Sequence, residues 1–261
     1  MIVTTIIKIC PTYFFLCFHG LDDLMSLSFV CKNLYCNEWD ALLKFRHVIL
    51  HRNLIFMIEK HFGLNLQEML SVLHKSQAII AGGSVLHLFT GCTFESSDLD
   101  IFIRNQHDVV SKVVLLTEYL CLMGYEIQFI SSIRYASRVV FGLRNHFNRK
   151  RIEIIVHNDD DVVDKFDISV CMCSIRTNKN GKALFRYRDC RSITERVLLP
   201  SAHLVEKEKA MVFCRLNGTN ADKVVDMYKL IERMAIRIEK YCNRGYLEGK
   251  ECAAMRQRWI K

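Results

Sequence analysis

The sequence predicts an α+β fold, a mixed sheet with flanking helices. Three observations carry it. The apolar run Ala78–Ala81 ends in a Gly82-Gly83-Ser84 turn. The segment Asp98-Leu99-Asp100-Ile101-Phe102-Ile103 alternates carboxylate and apolar residues at the period of a strand. Further strand-like runs at 125–130, 138–143 and 151–156 are interleaved with long segments of helical period. At 51% hydrophobic and 25% charged, with only two prolines, the chain has a globular composition.

The elements follow in order. Residues 2–45 read as short helices, with apolar Leu21, Leu24, Leu27 and Val30 at helical spacing and Asp22 and Asp23 in a first turn, where the helix dipole favours anions. Residues 41–76 continue as one or two helices, interrupted by Gly63-Leu64-Asn65 before Leu66–Leu73. Ala78–Ala81 is a buried strand, and a helix starts at Ser84. Gln106–Met123 is helical, with Gly124 as its natural terminus. Two strands, Tyr125–Ile130 and Arg138–Leu143, lead to a polar turn at Asn145–Lys150 and the strand Arg151–Val156. Asp159–Lys165 reads as a short acidic helix and Phe166–Cys173 as the start of a further strand. A Gly181 hairpin turn over Asn178–Lys182 follows, and then the return strand Ala183–Tyr187. Residues 203–217 and 221–243 are mostly helical.

The chemistry concentrates at the turn and the strand after it. Thirteen residues separate Ser84 from Asp98. Residues two apart on a strand point the same way, so Asp98 and Asp100 share a face while Leu99 and Ile101 take the other. Paired carboxylates repel unless a cation lies between them, and two carboxylates plus substrate phosphates are a usual magnesium site. Glycines let the backbone approach a phosphate, and the helix beginning at Ser84 aims its N-terminal N–H groups at it. Metal-assisted phosphoryl chemistry commonly needs a third acid for the attacking hydroxyl. Glu153 stands among apolar residues in mid-strand, where an unpaired acid is costly, and Asp167 opens the segment after the acidic helix.

The arrangement of apolar strand, Gly-Gly-Ser, spacer and Asp-Leu-Asp-Ile resembles the DNA polymerase beta-like nucleotidyltransferase superfamily. The resemblance implies a nucleotidyltransferase-fold sheet, Mg2+ or Mn2+ on Asp98 and Asp100, and a nucleoside triphosphate held by Gly82, Gly83 and Ser84. It also implies a third carboxylate at Ile152-Glu153-Ile154, with Asp167 as the alternative or as a supporting residue. Lys165-Phe166-Asp167-Ile168-Ser169-Val170-Cys171 and Arg237-Ile238-Glu239-Lys240-Tyr241-Cys242-Asn243-Arg244-Gly245 resemble segments of a group of uncharacterised viral, phage and eukaryotic nucleotidyltransferase-like proteins. Members of that group often carry Gln in the strand where Glu153 stands. Leu21–Tyr35 resembles the F-box motif without its usual Leu-Pro opening, which implies capture of a Skp-type adaptor of a cullin ubiquitin ligase through residues 2–45.

Composition narrows the partners. The formal charge is +8, and residues 201–261 alone hold thirteen Lys/Arg against eight Asp/Glu. A basic balance suits an anionic partner, but the charges are mixed and no aromatic RNA-binding signature occurs, so RNA has no direct support. Twelve cysteines include no C-x-x-C pair and no zinc spacing. That suits core thiols in a reducing cytoplasmic or nuclear compartment. Lys8 and Pro11 interrupt the apolar N-terminal run, which is too short to span a bilayer, so no membrane association is expected.

The reading is therefore an F-box-like module over residues 1–45, a nucleotidyltransferase-like domain over 46–200 and a helical region over 201–261. The expected activity is metal-dependent transfer of a nucleotide to a hydroxyl of protein, RNA or a small molecule. The alternative is a ubiquitin-ligase receptor that uses the same fold, without catalysis, to bind a target.

Overall fold

The computed structural model describes residues 39–90, 98–133, 138–189, 192–193, 196–216 and 221–259. The F-box-like segment Leu21–Tyr35 lies outside them. The described chain divides into two compact units. One runs up to Asp160 and adds Ser174–Arg186; the other takes Asp161–Cys173 and everything from Tyr187 onward.

The first unit opens with helix α1 (Trp39–Ile55), which runs into a π-helical turn at Phe56–His61. Gly63, at a positive φ of 67°, breaks the chain direction. Helix α2 (Leu66–Ser76) starts where Asn65 accepts a hydrogen bond from the Glu68 N–H, a side-chain cap of the ordinary kind. It buries Leu66, Met69, Leu70 and Leu73. Strand β1 (Ile79–Ala81), helix α3 (Gly83–Thr90), strand β2 (Leu99–Arg104) and helix α4 (Val109–Leu122) follow. Gly124, at φ 83°, turns the chain into β3 (Tyr125–Ile133), which precedes β4 (Arg138–Asn145) and β5 (Arg151–His157). The turn between β4 and β5 is tied by Asn145, whose side-chain Oδ1 accepts from the Phe147 and Asn148 N–H groups. Buried Tyr125 donates to the Phe62 carbonyl oxygen at 2.7 Å, and burial pushes its phenol well above the usual range.

Strands β6 (Cys173–Thr177) and β7 (Ala183–Tyr187) complete a seven-stranded sheet in the order β3-β4-β5-β2-β1-β6-β7. The sheet is mixed: β2 and β5 are parallel, while β1 runs antiparallel to both β2 and β6. The expected elements are found here with shifted ends. Two readings are corrected. Phe166–Cys173 is not a strand: Ser169–Cys171 is a short 3-10 turn, and the strand begins only at Cys173. The backbone is diverted by a bridge from Ile168 to Pro200 and by the buried Ser169–Ser192 hydroxyl pair at 2.7 Å. The acidic helix expected at Asp159–Lys165 is likewise only a 3-10 turn, Val162–Lys165, capped by Asp161.

The second unit holds a parallel pair of β8 (Val197–Leu198) and β9 (Leu247–Glu248) with helices α5 (Ala202–Leu216), α6 (Ala221–Cys242) and α7 (Lys250–Trp259). Asp161–Cys173 groups with the C-terminal helices because its polar groups are satisfied there. Asp167 is paired with Arg237 at 2.5 Å, Cys171 Sγ donates to the Tyr241 hydroxyl at 3.1 Å, and the Ser201 N–H donates to the Asp167 carbonyl oxygen. Glu208, buried, accepts from Arg258 at 2.9 and 3.0 Å and from the Trp259 indole at 3.0 Å, which ties α5 to α7.

Among the described residues no helix is long and apolar enough to cross a membrane. Cysteine burial gives a first expected outcome. Cys171, Cys173 and Cys252 are buried, while Cys121 and Cys242 are exposed. Desolvation pushes the Cys171 thiol up to about 11 and the Cys252 thiol up to about 12, and raises Cys173 well above its ordinary value. Since the thiolate is the reactive form, alkylation of the native protein at pH 8 followed by peptide mapping should label Cys121 and Cys242 and spare Cys171, Cys173 and Cys252. Equal labelling of all five would show that these thiols are not in a packed interior.

Candidate functional site

Strand β1 ends at Ala81 because Gly82 takes a φ of 92°, a backbone state that side-chain-bearing residues rarely adopt. The carbonyl oxygen of Gly82 then accepts the first helical bond, from Leu86 N–H at 3.1 Å. Helix α3 therefore presents the first-turn N–H groups of Gly83, Ser84 and Val85, which lack acceptors within the helix. The Ser84 hydroxyl is buried and has no hydrogen-bond partner among the described residues. His87, one turn further along, is buried as well.

The sheet register closes the sequence gap between turn and acids. Ala81 pairs with Asp100 across the antiparallel β1–β2 ladder. Asp100 in turn pairs with Glu153 across the parallel β2–β5 ladder. Extended on both sides, the row reads Ser174, Ala81, Asp100, Glu153, Gly142 and Phe129 over six adjacent strands. Strands in a sheet lie about 4.8 Å apart and paired residues point to one face, so Asp100 and Glu153 are carboxylate neighbours. Leu99, Ile101, Ile152 and Ile154 are buried on the opposite face. Asp98, just before β2, is exposed, and Asp100 is half-buried.

Glu153 has a partner that sequence reading did not supply. Arg151, two residues back on the same face, donates to its Oε1 at 2.5 Å. The guanidinium lies over the Phe129 ring, 5.1 Å from its centre. Phe129 covers Gly142, where a Cβ would stand 2.1 Å from the ring. The glycine leaves room for the ring, the ring supports the arginine, and the arginine orients the acid. The alternation Arg151-Ile152-Glu153 on a predicted strand was the available signal, because it places both charges on one face.

The sequence-predicted residues thus fall into two groups. Gly82, Gly83, Ser84, Asp100 and Glu153 are drawn together by the register of β1, β2 and β5, with Asp98 next in line. Asp167 belongs to the second unit, where its buried carboxylate is taken up by Arg237. Among the described residues, no group of three or more His, Cys, Asp or Glu side chains gathers to hold a metal ion. Asp98, Asp100 and Glu153 thus do not form such a group, and the oxygen donors this face offers are the neighbouring carboxylates of Asp100 and Glu153, with Asp98 beside them.

The profile of the Gabija anti-defense 2 family, Gad2, matches residues 49–196, which begin within α1, end just before β8 and include the turn, Asp98, Asp100 and Glu153. The chain belongs to that family. No curated protein matches it. Among solved structures, it is similar at 12% identity and a TM-score of 0.35 to a solution structure described as revealing a CCA-adding enzyme head domain. The likeness covers 58% of this chain and 80% of that one. The family match begins beyond the F-box-like segment.

Proposed function

We propose that the first unit is a metal-dependent nucleotidyltransferase that moves a nucleotide from a nucleoside triphosphate to a hydroxyl acceptor. We place this activity in the setting that the family's name gives, action against Gabija defence. The single observation behind the reading is the Ala81–Asp100 pairing, which sets the Gly82–Ser84 turn one strand spacing from the carboxylates. An anion at the α3 N-terminus would meet backbone N–H groups, the positive end of the helix dipole and the buried Ser84 hydroxyl.

Asp98 and Asp100 would be the oxygen donors that hold Mg2+ or Mn2+. Bound there with the triphosphate, the metal would supply charge neutralisation at the phosphates and polarise the reacting oxygens. The chain's own residues do the rest. Gly83 and Ser84 hold the phosphate tail and fix its direction. Glu153 takes the proton of the acceptor hydroxyl: Arg151 engages Oε1, and Oε2 is the oxygen assigned to the acceptor. Asp167 supports the second unit through Arg237. Adaptor capture by residues 2–45 is a separate proposal carried by the Leu21–Tyr35 sequence alone.

Thermal shift or calorimetry with each of the four nucleoside triphosphates, with and without Mg2+ or Mn2+, tests the reading. At 100 times its dissociation constant a ligand should stabilise the native state by about 2.7 kcal/mol. The shift should need the metal. No metal-dependent shift with any triphosphate would remove the enzyme reading and leave the fold as a binding module.

A further inference from the structure

Strand β5 ends in a buried ionisable side chain that nucleotide transfer does not use. His157 is only 4% exposed. The sheet register sets it in a row of basic side chains. Arg104 on β2 pairs with it directly, and Arg138 on β4 is one step beyond the Val139–Val156 pair. Counting by twos along each strand puts this row on the face that carries Asp100, Glu153 and Gly142. The Phe102 ring stands edge-on to the imidazole, with 6.1 Å between centres. The strand ends are tied together around the ring. The Asn105 N–H donates to the His157 carbonyl oxygen at 2.7 Å, and the Asn105 side-chain amide donates to Asn158 Oδ1 at 2.8 Å. Arg104 is paired with Asp160, and Arg138 stands 3.5 Å from Asp159.

This closed arrangement suits the neutral ring. An imidazolium carries two N–H donors, and Nδ1 has no hydrogen-bond partner among the described residues. A buried donor left without an acceptor is costly. The charged groups that act on the ring come from three elements. Arg104 from β2 and Arg138 from β4 oppose a further positive charge, while Asp159, just past β5, favours it through its carboxylate and a backbone hydrogen bond. Strand β3 adds only apolar Ile133 to the row. Burial is the largest effect, and the balance holds the imidazole below its ordinary pKa. A base held low in the closed state takes up its proton on opening. The stability of the closed end is therefore complete above about pH 6.5 and is lost as the pH falls through that value.

We infer that His157 is an acid-sensitive latch on the ends of β2, β5 and β4, closed over a neutral imidazole and opened when the ring becomes an imidazolium. The segment it releases is Asn158–Asp160, the last of the first unit before the chain passes into the second. Asp100 and Glu153 lie four residues back along β2 and β5, so the opening starts at the far end of the strands that carry the acids. The latch stands whether or not the first unit transfers nucleotides.

The test uses the full chain. Backbone hydrogen exchange is followed by mass spectrometry between about pH 5 and about pH 7.5, above the ordinary carboxylate range, with rates corrected for the pH dependence of a free amide. In the wild type, protection of peptides covering Arg104–Asn105 and His157–Asp160 should fall below about pH 6.5, by up to about 10-fold per pH unit. His157→Gln and His157→Phe should each remove that fall, and either suffices if the other melts early. Arg138→Gln should make the total loss smaller, because one opposing charge is gone and Asp159 is freed. A merely structural role for the arginine would leave the pH dependence as it was, so this variant decides if both His157 variants melt early. His61, held at about 4 by burial and by Lys150, also weakens the protein in acid. His61→Gln should leave the fall at the two peptides intact. Three results would each overturn the inference: flat wild-type protection over this range, a fall retained in a folded His157 variant, or a fall spread equally over α2 and β1. The last would be a loosening of the whole unit rather than of one end.

Discussion

Asp98→Asn and Asp100→Asn are each expected to lower nucleotide transfer by about 100-fold or more while leaving the melting temperature unchanged or slightly raised. The two halves of this expectation have separate causes. Loss of activity follows if these carboxylates hold the cation that neutralises the phosphates. Retained stability follows from their surroundings. Asp98 is exposed, and substitutions at such positions usually change stability by less than about 0.5 kcal/mol. Asp100 is the direct neighbour of Glu153 in the β2–β5 register, and like charges opposite one another weaken a sheet. Replacing one by a neutral amide removes that repulsion. Transfer of labelled nucleotide and thermal melting, measured on the same preparations, decide the matter. Variants that melt far below the wild type would show that the acids support the fold, and the proposed metal role would fall with that result.

The largest effect on stability is expected in the second unit, at Arg237→Met. The Asp167 side chain is 6% exposed and the Arg237 side chain 51%. Removing the arginine strands a carboxylate away from water. Breaking a buried pair costs about 3–5 kcal/mol, and the half-exposed partner here reduces that to about 2–3 kcal/mol. For a chain of this size the melting temperature should drop by about 5–10 °C. Asp167→Asn should cost less, because the guanidinium it abandons can turn to water. The double variant should recover part of the Arg237→Met loss. Urea unfolding of the three variants supplies the cycle, and an Arg237→Met protein as stable as the wild type would show that the pair contributes nothing.

The turn and the acid strand were legible because both signals are local. Gly82-Gly83-Ser84 announces a positive-φ turn, and Asp-Leu-Asp-Ile announces a strand with two faces. The helix from Leu66, the Gly124 terminus and the Gly181 hairpin were legible for the same reason. The adjacency of Ala81, Asp100 and Glu153 was not, since strand order depends on long-range pairing that no short window contains. Arg151 as the partner of Glu153 could have been read from the strand period. Asp167 and Arg237 are seventy positions apart, and each alone looks like a capping acid and a surface cation. The failure at Phe166–Cys173 has a different origin. Its apolar composition suits a strand, but the Ser169 and Ile168 contacts bend the backbone, and composition cannot show a bend.

The order of the strands also bears on how the chain can assemble during synthesis. Strand β1 lies between β2 and β6, and its Ile80 waits for Ile175. Until that residue has left the ribosome, one edge of a short apolar strand has no neighbour, an arrangement prone to pairing with the wrong chain. The route between them passes out into Asp161–Cys173, which groups with residues not yet made. A fragment stopped at residue 160 would contain the turn, Asp98, Asp100 and Glu153 but carry β1 as an open border. Such a fragment should self-associate, so the sheet has to be expressed through β7 before its chemistry can be assayed.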